Sequence, residues 1–500
     1  MAINLEPLFL KLGYPGRFQV VIFLLLCFNY YPVVFSHVIM AFFGIKPKHQ
    51  CYSSKYLDKQ QSQSVQEFSD VIHVFSGNTS SNATKATNEK CQGSYFGVDG
   101  INTTVTCPGD DDSYVIYQKE SIDSTIVTQW SLVCDDAYLS PLTTTIYFCG
   151  VMFGGLVFGH IADMFGRKPV MLVTLFSQIA VGVAIFFMPW YTGFAILRFV
   201  QGVLMQGLQT SFYFMPESLR WLLIKNKTEE AENLINRICS WNKCTFPKED
   251  FDEIKQQLTK TENDVQKYSV LDLMRSRTLR KRSIILYYIW FAISVGYYGL
   301  TWQLTSLPGN KYLNFFIAGS VEFLAYVSVI YITKRFGRKR PLLTYFTLAS
   351  ILMITAGVIP LAVSSTDASY IASGFAIAGK FAMGGLFATI FIYTAELYPT
   401  AVRNIGMGSC AFWTRVGGVV APQTISLDLK GNKTYPLLLY GGITLIGGLL
   451  TLLLPETLKI KLPDTLDEVN KTQKTSEGTS LEKINEAAEK SEVDVWDYKF

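Results

Sequence analysis

Five ionisable side chains stand inside long apolar stretches of the sequence, where an unpaired charge is expensive to bury. They are Arg198, Glu322, Lys380, Glu396 and Arg415. Inside a hydrocarbon layer such residues pair with one another or bind an ion, so they are candidates for function. Glu322 and Arg415 lie near the middle of their stretches and are the leading pair for contact with a charged ligand. Arg198 lies near the end of its stretch, and the alternative there is a side chain that reaches the polar surface.

Elements that cross a membrane must position these side chains. Only 17% of the 500 residues are charged and 49% are hydrophobic, and the charges crowd three stretches, 46–136, 216–283 and 457–500. Between them lie apolar runs of about 20 residues, the length a helix needs to cross about 30 Å of hydrocarbon. Spans are predicted at 18–45, 141–162, 170–188, 191–215, 284–305, 312–333, 341–363, 369–395, 404–426 and 436–455. The predicted fold is an all-α polytopic membrane protein with about ten spans.

The basic residues predict how these spans are oriented. Among the short loops, those on one side hold eight lysine and arginine residues and those on the other side hold three. The positive-inside rule places the richer side, with both termini, in the cytosol. The segment 216–283 has apolar positions at helical spacing, which predicts short amphipathic helices. The predicted segments are a cytosolic N-terminus at 1–17, span 1 at 18–45, an extracellular loop at 46–140, spans 2–4 at 141–215, a cytosolic loop domain at 216–283, six spans at 284–455 and a disordered cytosolic tail at 456–500.

The stretch from 46 to 140 has the features of an extracellular domain. It contains glycosylation sequons at Asn78, Asn82 and Asn102. It also contains an even number of cysteines, which predicts disulfides of unknown pairing in an oxidising compartment. Those cysteines are Cys51, Cys91, Cys107 and Cys134.

A basic turn that occurs twice indicates two related halves. Gly166-Arg167-Lys168 follows span 2, and Gly337-Arg338-Lys339 follows the sixth span. A second landmark closes each half, Pro-Glu-Ser-Leu at 216–219 and Pro-Glu-Thr-Leu at 455–458. From turn to landmark the first half measures 50 residues (166 to 216) and the second 118 (337 to 455), a difference of 68. This gap leaves room for two spans of about 20 residues with their turns. The alternative is that the halves diverged in length.

The repeated turn is also a candidate gate on the cytosolic side. A carboxylate at a helix end can bind a neighbouring helix N-terminus and an arginine, and so hold one conformation. The predicted gating residues are Asp163, Gly166, Arg167, Lys168, Arg338, Glu396 and Arg403. Glu396 and Arg403 flank a short helix end, so we expect them to pack the gate rather than to contact a ligand. The alternative is a basic turn that only fixes topology.

Longer motifs carry a family resemblance. Residues 128–135, 216–222 and 396–406, together with the turn at 163–168, resemble the organic-ion transporters of solute carrier family 22 in the major facilitator superfamily. The resemblance runs from about residue 12 to 470 and implies a two-half helical bundle that works by alternating access. Members of the family have twelve spans. The chain therefore resembles a member that lacks the fifth and sixth spans, with the break near 214–216.

The same resemblance suggests what is carried. Arg415 stands where dedicated cation transporters of the family have aspartate, whereas anion and carnitine transporters have arginine, which binds a carboxylate bidentately. Glu322 is expected to meet a positive group. A zwitterion such as carnitine would use both residues. The alternative is that both charges pair with other protein groups.

Aromatic and basic residues complete the predicted substrate site. The rings of Trp290, Tyr297 and Tyr298 are candidates to face a quaternary ammonium by cation–π contact, and packing is the alternative. Lys380, in Gly379-Lys380-Phe381, lies in a stretch that looks like the carnitine branch of the family.

The predicted function is secondary-active or facilitative transport of small organic ions, with carnitine-like zwitterions or organic cations as substrates. Two alternatives stay open: an organic anion transporter, and a non-transporting shortened form that binds or interferes with a partner. The predicted partners are the small organic ion and the lipid bilayer, not nucleic acid. The predicted location is the plasma membrane, and the oligomeric state is open.

Neither an enzyme nor a metal site is expected. The four histidines do not have metal-site spacing, and the sequence shows no nucleophile constellation. Residues 374–380 have the spacing of a phosphate-binding loop, but Phe381 stands where a serine or threonine is needed. No cofactor is predicted, although coupling to sodium or protons is an option.

Overall fold

The computed structural model describes residues 11–13, 16–45, 49–53, 92–96, 102–106, 113–117, 125–165, 167–209, 222, 227–252, 269–304, 307–363, 365–399, 402–424 and 435–458. The helices among them are α1 (Arg17–Val38), α2 (Met40–Phe43), α3 (Ile126–Gln129), α4 (Leu139–Phe165), α5 (Arg167–Phe186), α6 (Tyr191–Gln209), α7 (Thr228–Asn242), α8 (Val270–Arg275), α9 (Arg277–Gln303), α10 (Lys311–Phe336), α11 (Lys339–Ala362), α12 (Thr366–Leu397), α13 (Arg403–Gln423) and α14 (Tyr435–Thr451).

A long helix lies over each of the ten predicted spans. Within the described residues, six helices are long and apolar enough to cross a membrane, so the chain is a multi-pass membrane protein. The count of ten spans stays a prediction. α9 begins at Arg277 rather than at 284, because the basic residues before the apolar run are helical as well. α12 is 32 residues long and extends beyond the predicted 369–395 at both ends.

Four short strands lie within the predicted extracellular loop and were not predicted. β1 (His49–Ser53) pairs antiparallel with β4 (Ser113–Tyr117), and β2 (Gln92–Phe96) pairs antiparallel with β3 (Asn102–Thr106). Cys134 takes part in a disulfide, whose pairing stays a prediction. Asn78 and Asn82 lie outside the described residues, and the backbone of Asn102 begins β3.

Glycines bring α4 and α6 into close contact in the first half. Gly150 and Gly154 on α4 face the backbone carbonyls of Phe199 and Val203 on α6, and Gly202 on α6 faces the carbonyl of Tyr147. A Cβ atom at any of the three would overlap that carbonyl. Small residues four apart allow this approach, which gains van der Waals contact where lipid offers no hydrophobic driving force.

The two halves meet near the helix ends that are predicted to face outside. The Thr145 hydroxyl on α4 donates to the Val419 carbonyl of α13 at 3.0 Å, and the Gln423 amide donates to Thr145 at 2.8 Å. Phe42 of α2 stacks on Tyr312 at the start of α10, with ring centroids 5.9 Å apart. These contacts join the halves at the predicted outer side.

The segment predicted to be a cytosolic domain contains an amphipathic helix, as expected. α7 buries one stripe of its side chains, namely Ala231, Leu234, Ile235, Ile238 and Cys239. Asn242, its last residue, donates to the carbonyl of Leu12 at 2.8 Å and accepts from the backbone N–H of Phe18 at 3.0 Å. The helix is therefore fixed to the start of α1.

The glycine contacts predict an asymmetric effect of alanine along α4. Gly154→Ala places a methyl group against the Val203 carbonyl and should lower the free energy of unfolding by about 1–3 kcal/mol. Gly159→Ala is the matched control, because nothing lies within 4 Å of a Cβ at that position. Thermal unfolding of the purified protein in detergent measures both. Equal midpoints for the two variants would contradict the close α4–α6 packing.

Candidate functional site

Glu322 is carried by the face of α10 that packs against α12. The buried residues of α10 are Ala318, Ala325, Val329 and Thr333, whose spacing of seven, four and four forms one helical stripe. Glu322 lies on this stripe, four positions after Ala318 and three before Ala325. Opposite this stripe lies Gly384 of α12, where a Cβ would come within 3.0 Å of the Glu322 Cγ. The small stripe and the glycine let the carboxylate lie between the helices.

The Glu322 carboxylate contacts three neighbouring side chains. The hydroxyls of Tyr297 on α9 and Tyr326 on α10 both donate to its Oε1 at 2.6 Å. The Lys380 ammonium lies 3.7 Å from its Oε2. Hydrogen bonds to an ionised acceptor are the strong ones, and they are needed here because only 12% of the Glu322 side chain is exposed.

Lys380 is buried against the same tyrosine. Its ammonium donates to the Thr301 hydroxyl at 2.6 Å and to the Tyr297 carbonyl at 3.4 Å. It also lies 3.2 Å from the centroid of the Tyr297 ring, which is a cation–π contact. We call Glu322, Tyr297, Tyr326, Thr301 and Lys380 the Glu322 cluster.

The other two predicted aromatic residues are packed by protein. The Trp290 indole N–H donates to the Thr394 hydroxyl at 3.0 Å, and its ring meets Phe391 edge-on at 4.6 Å. Tyr298 packs between Phe148 and Trp302, with centroid distances of 5.0 and 6.2 Å. Contact of either ring with a substrate stays a prediction.

Arg415 faces the other half of the molecule. Its guanidinium donates to the side-chain oxygen of Gln206 on α6 at 3.3 Å. The two residues of the leading pair therefore lie in different surroundings. Glu322 contacts helices of its own half, whereas Arg415 contacts the first half.

Arg198 does not reach the polar surface, so that alternative is wrong. Its side chain is 3% exposed and lies over the Tyr147 ring, 4.4 Å from the centroid. One nitrogen donates to Gln201 at 2.6 Å, while Nε and Nη2 are buried without a hydrogen-bond partner in the described part of the chain. Tyr147 in turn hydrogen-bonds His37 at 2.9 Å. A histidine inside an apolar run, such as His37, is a sequence signal for a buried polar contact of this kind.

The second copy of the basic turn forms a closed ionic cluster. Arg338 pairs with Glu396 of α12 at 2.8 Å, and the Thr457 hydroxyl donates to the same carboxylate at 2.6 Å. Gly337 has a φ of +91°, and a Cβ there would meet the Glu456 carboxylate at 2.7 Å. The structure thus brings together two predicted gating residues, Arg338 and Glu396. Arg403 begins α13, and its gating role stays a prediction.

Glu456 caps the N-terminus of α11. Its carboxylate accepts from the backbone N–H groups of Arg338 at 2.9 Å and Lys339 at 3.2 Å, and from those of Thr457 and Leu458. Burial alone would raise the pKa of Glu456, but these N–H donors outweigh it and lower the pKa below its ordinary value. The residue was predicted only as a landmark of the repeat. The first half has a glutamate, Glu217, at the matching position of the repeat, and this recurrence is the sequence signal that Glu456 has a role.

The first copy of the turn cannot be compared in the same detail. Asp163 lies in α4, and Arg167 and Lys168 begin α5, while Gly166 lies outside the described residues. The side chains of Asp163, Arg167 and Lys168 are also outside the described part of the chain, so the gating contacts predicted for these four residues are not described. They stay predictions.

The Glu456 cap predicts a dependence of stability on pH. Because the pKa of Glu456 is lowered in the folded protein, its contribution is present above about pH 4.5 and is lost as the pH falls through the lowered pKa. The thermal midpoint of the unaltered protein should exceed that of Glu456→Gln at pH 7, and the difference should shrink between about pH 5 and pH 3. Glu230→Gln, at an exposed surface pair, is the control. A difference that does not change with pH would refute the cap.

Comparison with known proteins places the chain in a family. The profile described as sugar (and other) transporter matches residues 64–213 and 192–466. The organic cation transporter protein of Drosophila melanogaster is 29% identical over 91% of this chain and 93% of its own length. Solute carrier family 22 member 16 of Xenopus laevis is 30% identical over 79% and 78%, and human organic cation/carnitine transporter 2 is 30% identical over 69% and 72%.

A solved structure supports the same fold. The xylose transporter XylE from E. coli, in a partially occluded inward open conformation, aligns with a TM-score of 0.50 at 16% identity over 67% of this chain and 94% of its own. At this identity the likeness shows the fold alone. The sequence profile, the curated relatives and the fold agree, and the chain belongs to solute carrier family 22 of the major facilitator superfamily.

Proposed function

We propose that this transporter carries small organic ions, with carnitine-like zwitterions or organic cations as substrates, by alternating access at the plasma membrane with both termini in the cytosol. One observation carries the proposal. A buried carboxylate beside an aromatic ring, Glu322 and Tyr297, lies in the second half, and Arg415 faces from that half toward Gln206 of the first. These groups match an ammonium and a carboxylate.

The relatives support this choice of substrate class. They include an organic cation transporter and an organic cation/carnitine transporter. Coupling to sodium or protons belongs to the same proposal. The contacts between the halves at the predicted outer ends support an arrangement that opens toward the cytosol.

An organic anion is the second candidate substrate, and one observation favours it. Arg198 is buried with its positive charge over the Tyr147 ring, and two of its nitrogens lack hydrogen-bond partners in the described part of the chain. A substrate carboxylate would compensate this positive charge. Uptake of a carboxylate that bears no ammonium separates this candidate from the first.

We also propose that the chain lacks the fifth and sixth spans of its family. The alignment with the Drosophila organic cation transporter protein extends over 536 positions, more than the 500 residues of this chain, so it must contain gaps opposite the chain. The family profile matches in two pieces that overlap at 192–213, next to the break near 214–216 that the family resemblance implies.

The packing of α10 supports the same proposal. In the repeat α10 corresponds to α4, and α4 packs against α13, the fifth long helix of the other half. By symmetry the partner of α10 would be the fifth span of the first half. In keeping with a missing partner, 17% of the apolar window of α10 is buried, compared with 39% for α4. A non-transporting form that binds a partner is the functional alternative.

Arg415 gives the substrate proposal a specific test. In cells that express this chain, Arg415→Ala should weaken uptake of labelled carnitine by about 10- to 100-fold, because a charge-assisted hydrogen bond is lost. Uptake of tetraethylammonium, which has no carboxylate, should change little. Arg237→Ala, on the exposed face of α7, is the control for expression. Equal loss for both substrates would indicate a structural role for Arg415.

Surface biotinylation completes the experiment. Protein that reaches the surface and shows no saturable uptake of carnitine, tetraethylammonium or benzoate would overturn the transport proposal for this form. It would leave the shortened, partner-binding form as the better account.

A further inference from the structure

Neighbouring side chains contact the Tyr297 ring on several sides. The Lys380 ammonium lies 3.2 Å from its centroid, while Phe387 and Tyr298 flank the ring at centroid distances of 5.2 and 5.4 Å. Its hydroxyl is bonded to Glu322. A substrate ammonium can therefore use the face of Tyr297 over which Lys380 lies only after the Lys380 ammonium has left it.

The charge balance of the Glu322 cluster leads to the same constraint. Glu322 and Lys380 together are neutral, and both side chains are almost fully buried, at 12% and 2% exposure. A second cation added to this neutral pair would be an uncompensated charge in a medium of low dielectric. A cation that takes the place of the Lys380 ammonium beside Glu322 would leave that carboxylate with one countercharge.

We infer that Lys380 is a tethered competitor that fills the substrate's cation site when no substrate is bound. This inference rests on the proposed function, because it assigns the place of the substrate ammonium to Glu322 and Tyr297. It changes the part played by Lys380 from a direct ligand of the substrate to a specificity determinant. Only a ligand whose ammonium binds the carboxylate and the ring better than the lysine does will occupy the site.

Removal of the lysine should strengthen the binding of a simple cation. Purified Lys380→Met in lipid nanodiscs should bind tetramethylammonium about tenfold more tightly than the unaltered chain, since the ligand then supplies the missing countercharge. A purely structural lysine predicts the opposite sign. Its loss would leave Glu322 buried without a countercharge and would weaken or abolish binding.

Thermal unfolding gives an independent readout. Without ligand, Lys380→Met should unfold at a lower temperature, because the Glu322 carboxylate has lost its countercharge. Tetramethylammonium should raise the midpoint of this variant more than that of the unaltered chain. Lys380→Arg keeps a positive charge at this position. It should show neither the tighter binding of tetramethylammonium nor the larger rise in the unfolding midpoint.

A second variant covers the case in which Lys380→Met does not fold. Thr301→Val removes the 2.6 Å acceptor of the lysine while it keeps the shape and charge of the cluster, and it should give a smaller gain in tetramethylammonium affinity. A folded Lys380→Met or Thr301→Val that binds the cation no better than the unaltered chain would overturn the inference.

Glu322→Gln separates this inference from the proposed function. If the site is correct, Glu322→Gln should weaken tetramethylammonium binding in both the unaltered and the Lys380→Met backgrounds. If cation binding is measurable and Glu322→Gln has no effect, the site itself is wrong. If Glu322→Gln weakens binding and Lys380→Met does not strengthen it, the site stands and the competitor role fails.

Discussion

The structure depends on one constraint, that a hydrocarbon layer does not solvate charge. Each ionisable side chain within the spans must be compensated by protein or by a ligand. Glu322 meets this requirement through two tyrosine hydroxyls and Lys380. Arg198 meets it only in part, since two of its nitrogens have no partner in the described residues. In a transporter, incomplete compensation of this kind leaves room for a charged substrate to bind.

The same constraint orders the rest of the fold. Helices approach closely where glycine allows it, as between α4 and α6 and at Gly384 beside Glu322, and this fixes the polar groups with respect to one another. At the predicted cytosolic end the charged side chains are partly exposed, so water can solvate them as well. There Arg338, Glu396 and Glu456 form a partly exposed cluster around a glycine turn.

The sequence predicted most of the helices because a run of about 20 apolar residues has few other stable states in a membrane. It also singled out Glu322 and Lys380 as ionisable residues inside apolar spans, and Arg338 as part of the repeated basic turn. It did not predict the partners Thr301 and Glu456, because packing brings them to Lys380 and Arg338 from other parts of the chain. Tyr326, four positions after Glu322 on α10, was within reach of helical spacing. The bonds from Lys380 to Thr301 and from Arg338 to Glu456 cross 79 and 118 positions of sequence, which no local pattern records. The alternative that Arg198 reaches the polar surface was wrong because the position of a residue along a span does not show how deeply its side chain is buried among the helices.

A single-particle structure of this chain in a lipid nanodisc with saturating carnitine tests the account most directly. The account predicts the trimethylammonium group within about 6 Å of the Tyr297 ring centroid, with the Lys380 ammonium displaced from the ring and the carboxylate at Arg415. Carnitine bound with its ammonium away from Glu322 and Tyr297, or a folded bundle that contains no carnitine at saturation, would contradict it.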